Sequence, residues 1–140
     1  MTYIPAEIRK LVFVRAGNCC EYCLMGREDR LIPYQIDHII SIKHGGTNDD
    51  DNLCLACYKC NGFKGSDIAS RDPEPGDPVF LFHPRKQHWE NHFRLDGAEI
   101  EPLTPEGRIT VFLLRLNSTD RIKQRSALIK VGRYPCKTEE

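Results

Sequence analysis

Four of the cysteines form two pairs whose spacing suits metal binding. Cys20-Glu-Tyr-Cys23, the first knuckle, and Cys57-Tyr-Lys-Cys60, the second knuckle, are Cys-x-x-Cys segments separated by 33 residues. A two-residue spacer lets both sulfurs of a pair face one point, and two pairs supply the tetrahedral set of four thiolates that zinc prefers. The sequence therefore predicts a structural zinc site whose binding energy contributes to folding.

The cysteine pattern leaves other interpretations open. An iron centre with four thiolate ligands, redox-active thiols and simply buried thiols would use the same residues. The register is also ambiguous, because Cys54 has the same spacing to Cys57 as Cys57 has to Cys60, and Cys19 adjoins Cys20. We choose Cys57 with Cys60 because a predicted helix starts directly after them.

The remaining cysteines are predicted to be unreactive. The total of seven is odd and no secretory signal is visible, so a disulfide framework explains the pattern poorly. We expect Cys19, Cys54 and Cys136 to be small buried hydrophobic residues or inert thiols. A reducing, cytoplasmic location is the corresponding expectation.

A second group of residues has the chemistry needed for hydrolysis. Asp37-His38 lies between the knuckles at the end of a predicted strand, and Asn52 follows a glycine-rich loop that starts at His44. Histidine is the natural general base near neutral pH. Because adjacent residues on a strand point to opposite faces, His38 can stay off a metal ion that Asp37 binds.

The order of these motifs is Asp-His, Gly-Gly, Asn-Leu and then Cys-x-x-Cys-Asn-x-x-Lys. Over residues 17–68 this order resembles the HNH endonucleases, the ββα-metal family. The resemblance implies that His38 is the general base and that Asn52 bonds across the loop and holds the frame. It also implies that Asp37 and Asn61 bind one divalent cation. Asn61 replaces the family's eponymous last histidine, and the Asp/Asn pair favours Mg²⁺ or another oxygen-liganded cation over a catalytic zinc.

The resemblance implies a metal-dependent endonuclease that hydrolyses DNA, double-stranded in our expectation, by a one-metal mechanism with a histidine general base. The alternative is a zinc-dependent module that binds nucleic acid or protein without cutting. Lys64 lies one helical turn beyond Asn61, and we expect it either to contact phosphate or to be solvated. A homodimer and a protein partner both stay open.

The predicted fold class is α+β. A helix from Pro5 to Ala16 precedes the ββα-metal finger with its two knuckles, and residues 1–70 form the nuclease domain. Residues 71–78 contain three prolines and a glycine, which predicts a linker. Residues 79–140 then form a small α/β extension. It holds short strands, a hairpin around Asp96-Gly97, a helix from Thr104-Pro105 and a last helix with Ile122, Ser126 and Ile129 on one face.

Charge and hydropathy limit the classes of partner that the chain is expected to bind. The chain has 20 basic and 20 acidic residues, which argues against a highly basic architectural DNA binder. No apolar run approaches 18 residues, so no membrane partner is expected. Residues 121–137 hold six basic residues and no acid, which is either a solvated face or a phosphate-contacting patch. His88 and His92 suggest an amphipathic surface segment or a second metal site, and Trp89 suggests a core anchor.

Overall fold

The computed structural model describes residues 3–26, 34–74 and 76–137. Its helices are α1 Ala6–Arg15, α2 Tyr58–Lys64, α3 Trp89–His92, α4 Pro105–Leu113 and α5 Thr119–Lys130. Its strands are β1 Gln35–His38, β2 Leu53–Ala56, β3 Ala69–Arg71, β4 Pro78–Phe80, β5 Phe93–Asp96 and β6 Glu99–Pro102. Within the described ranges these strands form three antiparallel pairs, β1 with β2, β3 with β4 and β5 with β6. No described helix has the length and apolar character needed to span a membrane.

The first hairpin and α2 form the expected ββα unit. In the β1–β2 register Gln35 is opposite Ala56 and His38 is opposite Leu53. Helix α1 covers one face of the hairpin through a buried apolar cluster that includes Val12, and α2 contacts β1. All four residues of β2 are buried because both of its faces are covered. The α+β class is confirmed. The part of the predicted first strand from Leu31 to residue 33 lies outside the described residues.

The predicted linker is wrong. Strand β3 pairs with β4, so residues 72–74 and 76–77 lie in the connection of a second hairpin. Within that connection the buried Asp72 carboxylate accepts a hydrogen bond of 2.7 Å from Arg108 of α4, and this bond lowers the pKa of Asp72. Proline and glycine favour tight turns as much as flexible segments, and Pro78 occupies the first position of a strand, where its missing N–H is tolerated.

One apolar core crosses the predicted domain boundary. The core cluster joins Cys20 and Tyr22 of the first knuckle to Phe82 and Phe93 of the extension. The Trp89 indole N–H donates a 2.9 Å hydrogen bond to the Tyr22 carbonyl, so its role as an anchor is confirmed. The extension contains the expected hairpin β5–β6 and the helix α4 with its Thr104 cap, but it packs on the finger and shares its core.

The buried residues of α5 are two arginines, Arg121 and Arg125. Ile122, Ser126 and Ile129 are not among the buried residues of this helix. The Arg125 guanidinium donates to the Ala98 carbonyl at 2.7 Å and lies over the Tyr134 ring. Two of the six basic residues in residues 121–137 are therefore committed to the interior.

The prediction for Cys19 and Cys136 is also wrong, since the structure joins them in a disulfide with a Cα–Cα distance of 5.7 Å. The neighbouring Tyr134 hydroxyl donates to the Cys23 carbonyl at 2.8 Å. In the chain-entropy description, closing a loop with a sequence separation of 117 residues stabilises the fold by on the order of 4–5 kcal/mol. Spacing alone missed this pair because its members are far apart along the chain.

Because the extension and the two knuckles share one core, a destabilising substitution in the extension should also destabilise the knuckles. Phe93, which is 1% exposed, packs edge-on to Phe82. We expect Phe93→Ala to lower the free energy of unfolding by about 3–5 kcal/mol. Urea unfolding followed by Trp89 fluorescence and by release of bound zinc should give one shared, shifted transition. Phe112→Ala is the matched control, because Phe112 is 69% exposed. Zinc release at the wild-type urea concentration in Phe93→Ala would contradict the shared core.

Candidate active site

The four cysteines of the two knuckles converge on one point. Their Sγ atoms all lie within 4.8 Å of one another, and those of Cys23 and Cys57 are 3.8 Å apart. A tetrahedral zinc site with Zn–S bonds of about 2.3 Å has sulfur–sulfur edges of about 3.8 Å. All four residues are buried, and their soft thiolate donors suit zinc. The chosen register of Cys20, Cys23, Cys57 and Cys60 is confirmed.

Hydrogen bonds that involve the backbone hold both knuckles in place. Glu21, between the two cysteines of the first knuckle, donates its N–H to the Leu55 carbonyl at 2.9 Å and accepts the Leu55 N–H on its carboxylate at 2.7 Å. The first knuckle is therefore bonded to β2. The second knuckle is the N-terminus of α2, where Cys57 Sγ accepts from the Cys60 N–H.

Arg121 supplies the positive charge beside the sulfurs. Its guanidinium lies 3.0 Å from Cys60 Sγ and 3.7 Å from Cys57 Sγ, and it also donates to the Leu114 carbonyl at 2.8 Å. Burial by itself lowers the pKa of Arg121, but the neighbouring thiolates outweigh it and raise the pKa above its ordinary value. Because four thiolates exceed the charge of one Zn²⁺, Arg121 offsets the excess. The sequence predicted a solvated or phosphate-contacting position for Arg121, and that prediction gave no indication of its contact with the sulfurs.

Asp37 lies in a buried polar cluster. Its side chain is only 4% exposed and accepts a 2.8 Å hydrogen bond from the Tyr22 hydroxyl. The Lys64 ammonium lies 3.1 Å from one carboxylate oxygen and 3.2 Å from the other, and the Cys54 thiol lies 3.7 Å away. Burial raises the pKa of Asp37, against the opposing effect of Lys64, and burial also raises the pKa values of Tyr22 and Cys54. Cys54 is fully buried, as expected.

The position of Lys64 contradicts the predicted phosphate contact. Its side chain is 1% exposed, and besides Asp37 it donates to the His38 carbonyl at 3.1 Å. On α2 this residue lies one turn beyond Asn61 on the face that packs against the hairpin. Lys64 is therefore a buried counter-ion rather than a surface lysine.

Asn61 lies along the same interface as Asp37. Its amide donates to the side chain of Gln35, which is two residues before Asp37 and shares its face of β1. The interface of β1 and α2 thus carries both predicted cation ligands, with Asp37 in its buried part and Asn61 half-buried. The two oxygen donors have the chemistry that Mg²⁺ prefers. The Asp37 carboxylate is already paired with Lys64, so a cation there would have to replace or share this partner.

His38 points away from Asp37, as strand alternation predicts. The half-buried ring lies 2.8 Å, through Nε2, from Oδ1 of Asn48. Sequence reasoning missed Asn48, because an asparagine in a polar loop carries no signal by itself.

The Asn52 side chain closes the loop that follows His38. It accepts from the Ile40 N–H at 2.9 Å and donates to the carbonyls of Ile40 and Thr47 at 2.9 and 2.8 Å. These bonds match the cross-loop position that the resemblance implies. They bring residue 47 against residue 40, and this approach leaves no space beside Gly46, where an added Cβ would lie 1.7 Å from the Ile40 carbonyl oxygen.

Comparison with known proteins agrees with this geometry. The model of the HNH endonuclease family matches residues 20–67, which contain both knuckles, the hairpin β1–β2 and α2. Residues 20–67 are thus an HNH domain, as the motifs predicted. No curated protein matches the chain.

Arg121 is expected to strengthen zinc binding. Because partners of metal ligands contribute about 10–100-fold to affinity, Arg121→Met should weaken zinc binding by that factor in competition with a chromophoric chelator. Lys123→Met is the matched control, since Lys123 is an exposed residue of the same helix. Equal zinc affinities of the two variants would refute the contact.

The close approach at Gly46 gives a second prediction. Gly46→Ala must push residue 46 away from Ile40, at a cost of about 1–3 kcal/mol in the free energy of unfolding. Gly62→Ala is the control, because Gly62 lies in α2 with nothing within 4 Å of an added Cβ. That change should stabilise the helix by about 0.5–1 kcal/mol. Urea unfolding measures both, and a neutral Gly46→Ala would argue against the clamped loop.

Proposed function

We propose that this chain is a divalent-metal-dependent endonuclease that hydrolyses phosphodiester bonds of double-stranded DNA, with His38 as its general base. The observation that carries the proposal is the position of His38 within the HNH-matched range. His38 is at the end of β1, next to Asp37 in the sequence, and its ring faces the loop that Asn52 holds closed. HNH domains act on nucleic acid, so the family match supports the reaction class.

Asp37 and Asn61 would hold the catalytic cation in this proposal. When bound there, such a cation would supply charge stabilisation for the phosphate and the leaving oxygen. Carboxylate and amide oxygens suit Mg²⁺, and both side chains lie along one strand–helix interface. Lys64 provides positive charge to Asp37 in the present arrangement, so binding of the cation would be coupled to movement of this ammonium group.

His38 performs the proton transfer of the proposed reaction. The imidazole accepts a proton from water, whose oxygen forms a bond to phosphorus while the bond to the leaving 3′ oxygen breaks. That oxygen then takes a proton from solvent. A base whose ordinary pKa is about 6.5 is suited to this step near neutral pH. Asn52 does not move a proton, because its three hydrogen bonds fix the loop.

One observation favours a second candidate, a zinc-dependent binding module that does not cut. The Asp37 carboxylate is buried and neutralised by the equally buried Lys64. A permanent ion pair of this kind would leave the zinc frame as a scaffold for DNA or protein binding. The two candidates differ in one property, namely whether any divalent cation supports cleavage.

Plasmid cleavage tests both candidates. Purified, zinc-loaded protein should nick or cut plasmid DNA in the presence of Mg²⁺ or Mn²⁺, and His38→Ala should reduce the rate by about 10²–10⁴-fold. His44→Ala is the matched control, since His44 is an exposed histidine of the same loop. Equal rates for His38→Ala and wild type would reject His38 as the base. DNA retention without cleavage under every divalent cation would favour the binding module.

A further inference from the structure

The contacts of Asn48 determine which nitrogen of His38 is free to take a proton. The Asn48 side chain has two partners, His38 Nε2 at 2.8 Å from its Oδ1 and the Tyr3 carbonyl at 2.9 Å from its Nδ2. Asn48 lies in the loop outside β1 and α2, so it belongs neither to the zinc frame nor to the Asp37 cluster.

The Tyr3 carbonyl fixes the orientation of the Asn48 amide. A backbone carbonyl can only accept a hydrogen bond, so the amide must present its NH₂ group to Tyr3. Rotating the amide by half a turn would place two acceptor oxygens against each other. The carbonyl oxygen Oδ1 therefore faces His38, and it too can only accept.

The proton on His38 follows from this orientation. Because Oδ1 is an acceptor, Nε2 must carry the hydrogen of their 2.8 Å bond. A neutral imidazole has one N–H, so the other nitrogen, Nδ1, holds the lone pair. Within the described part of the chain Nδ1 has no hydrogen-bond partner, so no described residue competes for that lone pair.

We propose that Asn48 is a positioning residue that holds His38 as its Nε2–H tautomer, so that Nδ1 is the atom that accepts the proton in the reaction. The statement that Nδ1 accepts a proton in a reaction rests on the proposed function. The tautomer itself is a property of the resting protein. Asn48 acts only through the imidazole, and it orients the ring through the same hydrogen bond that selects the tautomer.

The hydrogen bonds of Asn52 explain how Asn48, ten residues after His38 in the sequence, stays in contact with the His38 ring. Asn52 holds the Thr47 carbonyl at 2.8 Å, directly before Asn48. It also holds both backbone groups of Ile40, two residues after His38. Asn52 thus fixes the backbone on both sides of the His38–Asn48 contact, and Tyr3 sets the rotation of the Asn48 amide.

The tautomer is measurable without any reaction. In zinc-loaded protein with ¹⁵N-labelled histidine, long-range ¹H–¹⁵N correlation at about pH 8, above the ordinary histidine pKa of about 6.5, distinguishes protonated from unprotonated ring nitrogens. Wild type should show Nε2 protonated and Nδ1 unprotonated at His38. Asn48→Ala should give a mixture of tautomers. Asn48→Asp loses the bond to Tyr3, which lies at an exposed position, but its carboxylate can still accept the Nε2–H, so Nε2 should stay protonated. Asn91→Ala, at an exposed position of α3, should leave the pattern unchanged.

Kinetics on plasmid DNA supply the second measurement. Asn48→Ala should lower kcat by up to about 10²-fold, the scale of a misplaced catalytic group, with KM and zinc content unchanged. Asn48→Asp should restore a large part of that loss, which a merely structural role would not predict. An Nδ1–H tautomer in wild type, or identical spectra for wild type and Asn48→Ala, would overturn the role of Asn48. Failure of wild type to cleave DNA, with the expected spectra, would instead overturn the proposed nuclease and leave the tautomer assignment standing.

Discussion

Convergence of four buried sulfurs is the constraint on which the rest of the structure depends. The sulfurs come from two short segments 33 residues apart, and their combined negative charge meets the guanidinium of Arg121 from the last helix. Burying such a charge without a partner would be strongly unfavourable. Through Arg121, the sulfur centre therefore draws α5 into the packing around the two knuckles.

A second set of contacts, all of them hydrogen bonds, organises the loop that follows His38. The three hydrogen bonds of Asn52 hold together the start and the end of a long loop, and Gly46 is the residue that permits the backbones to approach. Strand alternation then separates two functions on adjacent residues, because Asp37 faces the buried Lys64 and His38 faces the loop. A single short strand can thus carry an anion and a base without placing one on the other.

Local patterns predicted most of the fold because they report local energetics. The knuckle spacing, the Thr104 cap and the Asp96-Gly97 turn each describe a few neighbouring residues, and each lies where it was expected. The errors all concern contacts between distant residues. Pairing of Cys19 with Cys136, burial of Lys64 against Asp37 and pairing of β3 with β4 depend on tertiary neighbours that composition does not encode. Arginines on the inner face of α5 look like a solvated stripe until their thiolate and carbonyl partners are known.

The covalent link between Cys19 and Cys136 has a consequence for how the HNH-matched segment can be moved into another protein. It lies one residue before the first zinc ligand and joins that segment to the chain that follows α5, while Arg121 of α5 contacts Cys60 Sγ. A fragment cut at the edges of the family match would lose Arg121, Trp89 and this bridge together. Protein engineering that moves the β1–β2 hairpin and its knuckles into another scaffold must therefore also carry Trp89, Arg121 and the Cys19–Cys136 bridge, or replace their contacts.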